Sequence, residues 1–226
     1  MIYALLGIAF LLLAYGPHLW VRHVLKKNHN IIDDMPGTGG ELAQHLIDRF
    51  ELEGVLLEEG NPDQDHYNPG TRTVSLSPDV FHGKSLSAVS VAAHEVGHAI
   101  QFSRQEPVSK LREKYLGKAH LIQSWGVYIL MSIPIIGVVF RVPHLAVLTA
   151  LVGIVTMLAS VLMYAAILPE EYDASFNKAL PILEEGYVPE HHLPVVRQVL
   201  KACALTYVAG ALADILRLWR WIAIIR

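Results

Sequence analysis

Three long runs of this chain contain no charged residue: residues 1–21, 121–140 and 145–168. Each is about the length that crosses the hydrocarbon core of a bilayer. Nothing in that core can hydrogen-bond an exposed amide, so such runs must fold as helices that satisfy their own backbone. The hydrophobic content of 53%, against an average near 45–50%, is concentrated in these blocks rather than in one large soluble core. A mainly α protein of integral membrane helices is therefore expected.

Residues 1–21 read as a retained anchor. They lack a basic leading segment, the apolar stretch is too long for a cleaved signal, and no small-x-small cleavage site follows. Tyr15 and Trp20 suit its interfacial end. Pro134 is expected to kink the second run, and Arg141-Val142-Pro143-His144 makes a very short loop to the third.

Between the first and second runs lies His94-Glu95-Val96-Gly97-His98. The surrounding stretch, 85–102, reads as one helix that Ser85 or Ser87 can cap. Histidines four residues apart on a helix lie about 40° apart around its axis and one turn apart along it. Both imidazoles can thus reach one metal ion, and Glu95 can hold and deprotonate a water that the ion activates. Gly97 lowers helix stability by roughly 1 kcal/mol relative to alanine, and a small residue there lets another segment approach the metal. The single cysteine, Cys203, excludes an intramolecular disulfide and a cysteine cluster, so a zinc ion must take histidine and carboxylate ligands. Cys203 reads as a small buried hydrophobe.

Upstream, residues 28–40 read as a glycine- and proline-containing linker, and Leu42, Leu46, Ile47 and Phe50 mark a short amphipathic helix ending near Gly54. Residues 55–57 suit a short strand, followed by a turn over 58–63. Residues 71–76 are β-favouring and follow an Asn68-Pro69-Gly70 turn, which predicts a small hairpin with 65–67. The free edge of strand 71–76 is then a place where a substrate segment could add. His66 is a candidate transition-state donor or a support for a ligand; a histidine in a turn is also an ordinary surface residue.

Two histidines and one carboxylate with an open position make a catalytic zinc site. The third run ends at Leu168, and Glu170, Glu171 and Asp173 follow on a new helix. Periodicity does not choose among these three carboxylates.

The remaining segments set topology. Arg22, Lys26 and Lys27 follow the first run, and Lys110, Arg112, Lys114 and Lys118 precede the second, against Arg141 alone between the second and third. The positive-inside rule then places the N-terminus outside and the metal domain in the cytoplasm. His191 and His192 read as surface, because neighbours in sequence do not share a helix face. Residues 193–200 suit a short helix. Residues 202–226 are apolar but carry Asp214, Arg217 and Arg220, which favours a partly embedded or interfacial helix with Trp219 and Trp221 at headgroup level. A net charge of −3 gives no reason to expect a nucleic-acid partner.

Asp65-His66-Tyr67-Asn68-Pro69, Leu76-Ser77, the run from Ser85 through His94-Glu95-Val96-Gly97-His98-Ala99-Ile100-Gln101, and Glu171-Tyr172-Asp173-Ala174-Ser175 resemble the YugP-type bacterial membrane zinc metallopeptidases over most of the chain. The resemblance implies a neutral zinc metallopeptidase with a zincin-like metal domain. A more distant likeness, to the HtpX-type membrane proteases, sets Glu171, Ala174 and Ser175 in the places of a Glu-x-x-Ala-Asp pattern whose glutamate is the third zinc ligand. Ser175 departs from that aspartate, and Asp173 is the substitute the sequence offers for carboxylate support behind a histidine.

The resulting expectation is a multi-pass zinc endopeptidase of the bacterial plasma membrane, acting on membrane or membrane-proximal proteins. Its parts are an anchor (1–21), a cytoplasmic zincin-like domain with a small β-hairpin (22–118), two transmembrane helices (119–168), a third-ligand segment (169–201) and a membrane-associated helix (202–226). His94, His98 and Glu171 hold Zn2+ and Glu95 is the base; His66, Tyr67, Tyr172 and Tyr207 are candidate oxyanion donors. The partners are the lipid bilayer and a protein or peptide substrate, with a homo-oligomer or a membrane partner protein left open. The alternatives are a non-catalytic zinc-binding membrane scaffold, against which Glu95 argues, and a transporter component, against which the charge-free third run argues.

Overall fold

The computed structural model describes the backbone of residues 2–32, 34–140 and 143–224, and the side chains of 12–13, 15–32, 34–136 and 144–213. In chain order the elements are α1 (Ile2–Lys27), α2 (Gly39–Arg49), β1 (Leu56–Glu59), β2 (His66–Asn68), β3 (Thr73–Leu76), α3 (Pro78–Phe81), α4 (Leu86–Ser103), α5 (Lys110–Met131), α6 (Ile133–Phe140), α7 (Pro143–Ala165), α8 (Leu168–Tyr172), α9 (Leu180–Ile182) and α10 (Leu193–Ile224). The fold is mainly helical with one small sheet. It divides into an apolar unit of Met1–Leu19, Leu111–Ile167 and Thr206–Arg226, and a mixed unit of Trp20–Lys110 and Leu168–Leu205.

In the apolar unit, α5 stops at Met131 and α6 starts at Ile133, a break just ahead of Pro134. Proline lacks an amide and clashes with the carbonyl four residues back, so the helix interrupts where the kink was expected. Among the described residues, three helical stretches are long and apolar enough to cross a membrane: Pro107–Ile136, His144–Tyr187 and Glu190–Ala213. Residues 2–21 of the first expected run lie within α1, but most of its side chains, those of 1–11 and 14, lie outside the described residues, as do Met1 and, in the expected loop, Arg141 and Val142. Residues 193–200 and 202–226, read separately from the sequence, belong to one helix, α10, through Ile224. The side chains of Asp214, Arg217, Trp219, Arg220 and Trp221 also lie outside the described residues.

The mixed unit is built on α4. Thr38 caps α2 with a capping box, its hydroxyl accepting from the Glu41 amide while the Glu41 carboxylate accepts from the Thr38 amide. This satisfies two otherwise orphaned donors. Leu42, Leu46 and Ile47 then bury one face of α2.

The sheet has the order β1-β3-β2. The β2–β3 hairpin forms as expected, antiparallel with Tyr67 opposite Val74. β1 adds parallel to the other side of β3 and runs through Glu59, which the sequence assigned to a turn. Pairing of Glu59 with Leu76 extends the strand. β3 is therefore central and has no free edge, which corrects the expectation that a substrate segment could add beside 71–76; the outer edges belong to β1 and β2.

Candidate metal centre

Ser85 starts α4, with extended backbone and its hydroxyl accepting from the Ala88 amide at 3.1 Å. Every residue from Leu86 to Gln101 is buried. A helix buried all round suits a sequence of small and apolar side chains on most faces, and here Ser87, His94, Glu95, His98 and Gln101 have hydrogen-bond partners inside the protein. His94 and His98 stand edge to face with ring centres 4.6 Å apart.

Glu171 comes from α8, which continues into a π-helical stretch, Asp173–Ala179. π-Helical turns are rare and often found at functional sites. A Cβ placed on Gly97 would lie 2.8 Å from the Ala174 carbonyl oxygen. Only glycine lets the two backbones meet there, and that approach brings Glu171 against the histidines. The carboxyl is almost wholly buried, at 1% exposure.

Three atoms converge. His94 Nε2 lies 3.2 Å from His98 Nε2, and each lies 3.3 Å from Glu171 Oε2. A tetrahedral ion with ligands at about 2.0–2.1 Å has edges of about 3.3 Å, so the triangle has the size of one face of such a site.

The hydrogen bonds behind it decide the protons. Gln101 Nε2 donates to the Glu170 carbonyl at 3.0 Å and to Asp173 Oδ2 at 2.8 Å. Its Oε1 is then the acceptor 3.0 Å from His98 Nδ1. Ser175 spends its hydroxyl proton on the Leu200 carbonyl, so Oγ is the acceptor 3.0 Å from His94 Nδ1. Both Nδ1 atoms therefore carry the proton, and both Nε2 lone pairs face the carboxylate. Such an arrangement repels in a low-dielectric interior and is relieved by a cation at its centre. The donor set fits zinc.

Glu95, between the two histidines in sequence, is held by the sheet. Its Oε2 accepts the Tyr67 amide of β2 at 2.8 Å, and the carboxyl is buried. The β2 strand is held by Asp65, whose Oδ1 accepts the Ser77 amide at 2.7 Å. Burial holds the Asp65 carboxyl above the usual carboxylate range; the Ser77 hydrogen bonds oppose that shift, and the neighbouring Glu95 charge adds to it. Asp173 is under the opposite balance. Burial pushes its carboxyl up, but hydrogen bonds from Gln101, Asn177 and Lys178 outweigh this and leave it below the usual range. Lys178 also bonds Glu106 Oε2 at 3.0 Å, which ties this segment to the turn that follows α4.

The structure thus brings His94, His98 and Glu171 together. Glu170 is also buried, with Oε1 3.9 Å from His98 Nδ1, on the proton-bearing side of the ring. His66 is exposed on β2, facing away from the buried Tyr67 side. Tyr172 is 51% exposed and packs on Phe176. Tyr207 stacks on Tyr164 in the apolar unit. Asp173 does not support a histidine directly, which corrects the substitution expected from the sequence. Ser175 itself supports His94, and Asp173 reaches His98 through Gln101. Gln101 carried no role in the sequence reading. Its position three residues after His98, on the same helix face, is the signal that could have found it.

A model of the family described as "Putative neutral zinc metallopeptidase" matches residues 3–226. The chain is 33% identical over 232 aligned residues to "Putative membrane protease YugP" of Bacillus subtilis (strain 168), across 99% of this chain and 96% of that protein. No solved structure matches.

Proposed function

The chain belongs to this neutral zinc metallopeptidase family, and we propose that it is a membrane-bound endopeptidase whose zinc is held by His94, His98 and Glu171. The observation that carries the reading is the buried triangle of two imidazole lone pairs and one carboxylate, sized for a tetrahedral ion. When bound there, zinc supplies Lewis acidity that polarises a peptide carbonyl and acidifies water.

The chain's own residues do the rest. Glu95 takes the proton of the attacking water and delivers it to the departing amine. The Tyr67 amide fixes Oε2 of Glu95, so the base is oriented before substrate arrives and the proton moves at Oε1. Ser175 and Gln101 hold the two histidines in the tautomer that offers Nε2. His66 and Tyr172, both exposed, become oxyanion donors only if substrate binding draws them in.

Three apolar helices and the likeness to a putative membrane protease of Bacillus support a lipid environment. Glu171 follows the third apolar run within a few residues, which favours membrane or membrane-proximal proteins as substrates. The basic residues flanking the runs support a multi-pass topology in the plasma membrane with the metal domain in the cytoplasm.

Glu95→Gln tests the chemistry. It keeps the shape and the Tyr67 hydrogen bond but removes the base. The variant should retain zinc and lose peptide cleavage by about 10²–10⁴-fold, the usual worth of a positioned acid–base group. Cleavage near the wild-type rate would overturn the mechanism.

A further inference from the structure

Among the described residues, a second group has the composition of a metal site, far from His94 in the chain. The ligand atoms of Asp34, His191 and His192 all lie within 4.8 Å of one another. Neighbours in sequence do not share a face of a regular helix; His191 is exposed, as a surface reading expects, yet the local backbone still brings the pair together. His191 and His192 lie on a tight 3-10 turn, Glu190–His192, just before α10, with ring centres 3.9 Å apart and planes 43° apart.

Both sides of the group are held in place. Pro189 leads into the turn, and the His192 amide donates to the Pro189 carbonyl at 2.9 Å. Across from it, the Ile32 amide donates to the Lys84 carbonyl at 2.9 Å, and Met35 is buried beside Asp34. The surroundings suit a cation. A cavity of about 630 Å³ beside the turn is lined by Asp34, Glu184, Glu185 and Glu190. Glu184 and Glu185 are neutralised by Arg197 and Arg49. Among the described residues, no basic side chain pairs with Asp34 or Glu190, and both leave negative charge at the group.

We propose that Asp34, His191 and His192 form a second, more weakly held site for a divalent transition-metal ion such as zinc. Two imidazoles and one carboxylate favour ions of the zinc, nickel and copper type over calcium or magnesium. Exposure of Asp34 and His191 leaves coordination positions to water and makes the site weaker than a buried one. A bound ion would join the segment before α2 to the start of α10 and stabilise the mixed unit by mass action.

The test uses the full chain in detergent, stripped of metal by a chelator and titrated with Zn2+ by calorimetry. Wild type should show two classes of site. Combined His191→Ala and His192→Ala should abolish the weaker class and leave the tighter one unchanged. Asp34→Asn should weaken the weaker class by about tenfold or more, since even outer partners of a metal act on that scale. Combined His94→Ala and His98→Ala should do the reverse, removing the tighter class alone. A weaker class that survives in the His191/His192 variant is adventitious binding elsewhere and overturns the proposal, as does a wild type in which the tighter class alone binds. Loss of the tighter class in wild type, with the weaker one intact, would instead count against the catalytic reading and leave this one standing.

Discussion

The two units place polarity in opposite places. In the apolar unit the exposed surface carries Leu121, Trp125, Ile135, Val147, Leu148, Leu151 and Leu162. Among the described residues its interior has two compact clusters, Leu130 with Met157, and Ala119 with Tyr164, Ile167 and Ala211. In the mixed unit the interior carries His94, Glu95, His98, Gln101, Glu170, Glu171 and Ser175. The difference follows from the solvent each side faces. Lipid is as apolar as leucine and gives no drive to bury it, so helices there meet through small residues and close packing. In the mixed unit, water drives burial of α2 and the sheet around α4, and that burial carries a polar network inward that would be unfavourable if left unpaired. Glycine serves both regions differently. Gly126 faces Met157 and Gly153 faces Leu130, both flexible side chains, whereas Gly97 faces the backbone of Ala174.

Gly97→Ala is expected to break this contrast most. The Ala174 backbone has nowhere to go, so the overpacking should destabilise by about 1–3 kcal/mol and separate Glu171 from the histidines. Gly153→Ala would meet Leu130 at Cδ2 and Cγ, each 2.5 Å away, so that side chain must shift; with helix propensity of about 1 kcal/mol in its favour, the variant should destabilise less than Gly97→Ala and leave zinc untouched. Thermal melts with zinc content read both; equal losses would erase the distinction between backbone contact and side-chain contact.

Gln101→Leu is the next largest. It removes the Gln101 acceptor at His98 Nδ1 and the Gln101 donor at the Glu170 carbonyl, and zinc affinity should fall about 10–100-fold. Competition with a chromophoric chelator measures this, and an unchanged affinity would show that Gln101 does not set the tautomer.

The smallest effect concerns Asp65. Its folded pKa is raised by burial, so its contribution to stability is present below the unfolded pKa and is lost as pH rises through the folded one. Asp65→Asn keeps an acceptor for the Ser77 amide and removes the charge. In metal-free protein it should melt higher than wild type near neutral pH, with the difference vanishing in acid. A constant difference across pH would assign the effect to packing instead.

Much of this arrangement was legible in the residues. The α4 helix, its serine cap, the β2–β3 hairpin and the break at Pro134 follow from local chemistry, which periodicity and turn residues record. The third carboxylate was narrowed to Glu170, Glu171 and Asp173, and the structure brings Glu171 to the histidines. What escaped depends on contacts between distant segments. β1 joins β3 in parallel only because residues 55–59 return alongside it. The π-helical stretch changes which side chains face α4, and no periodicity announces it. Ser175 looked like a missing carboxylate because its role depends on the Leu200 carbonyl taking its proton. The same holds for His191 and His192, whose meaning changes with a 3-10 turn and with Asp34.

The proposed roles of His94, Glu95, His98 and Glu171 all require that the buried triangle take up one zinc ion. The full chain should be purified in detergent, washed with a mild chelator to clear weak sites, and assayed for zinc beside His94→Ala, Glu171→Gln and Asp173→Asn. About one zinc per chain in wild type, lost with His94→Ala, weakened with Glu171→Gln and largely kept with Asp173→Asn, is the expected result. A well-folded wild type without zinc, even after zinc is added back, would contradict it and leave the catalytic roles of His94, Glu95, His98 and Glu171 without support.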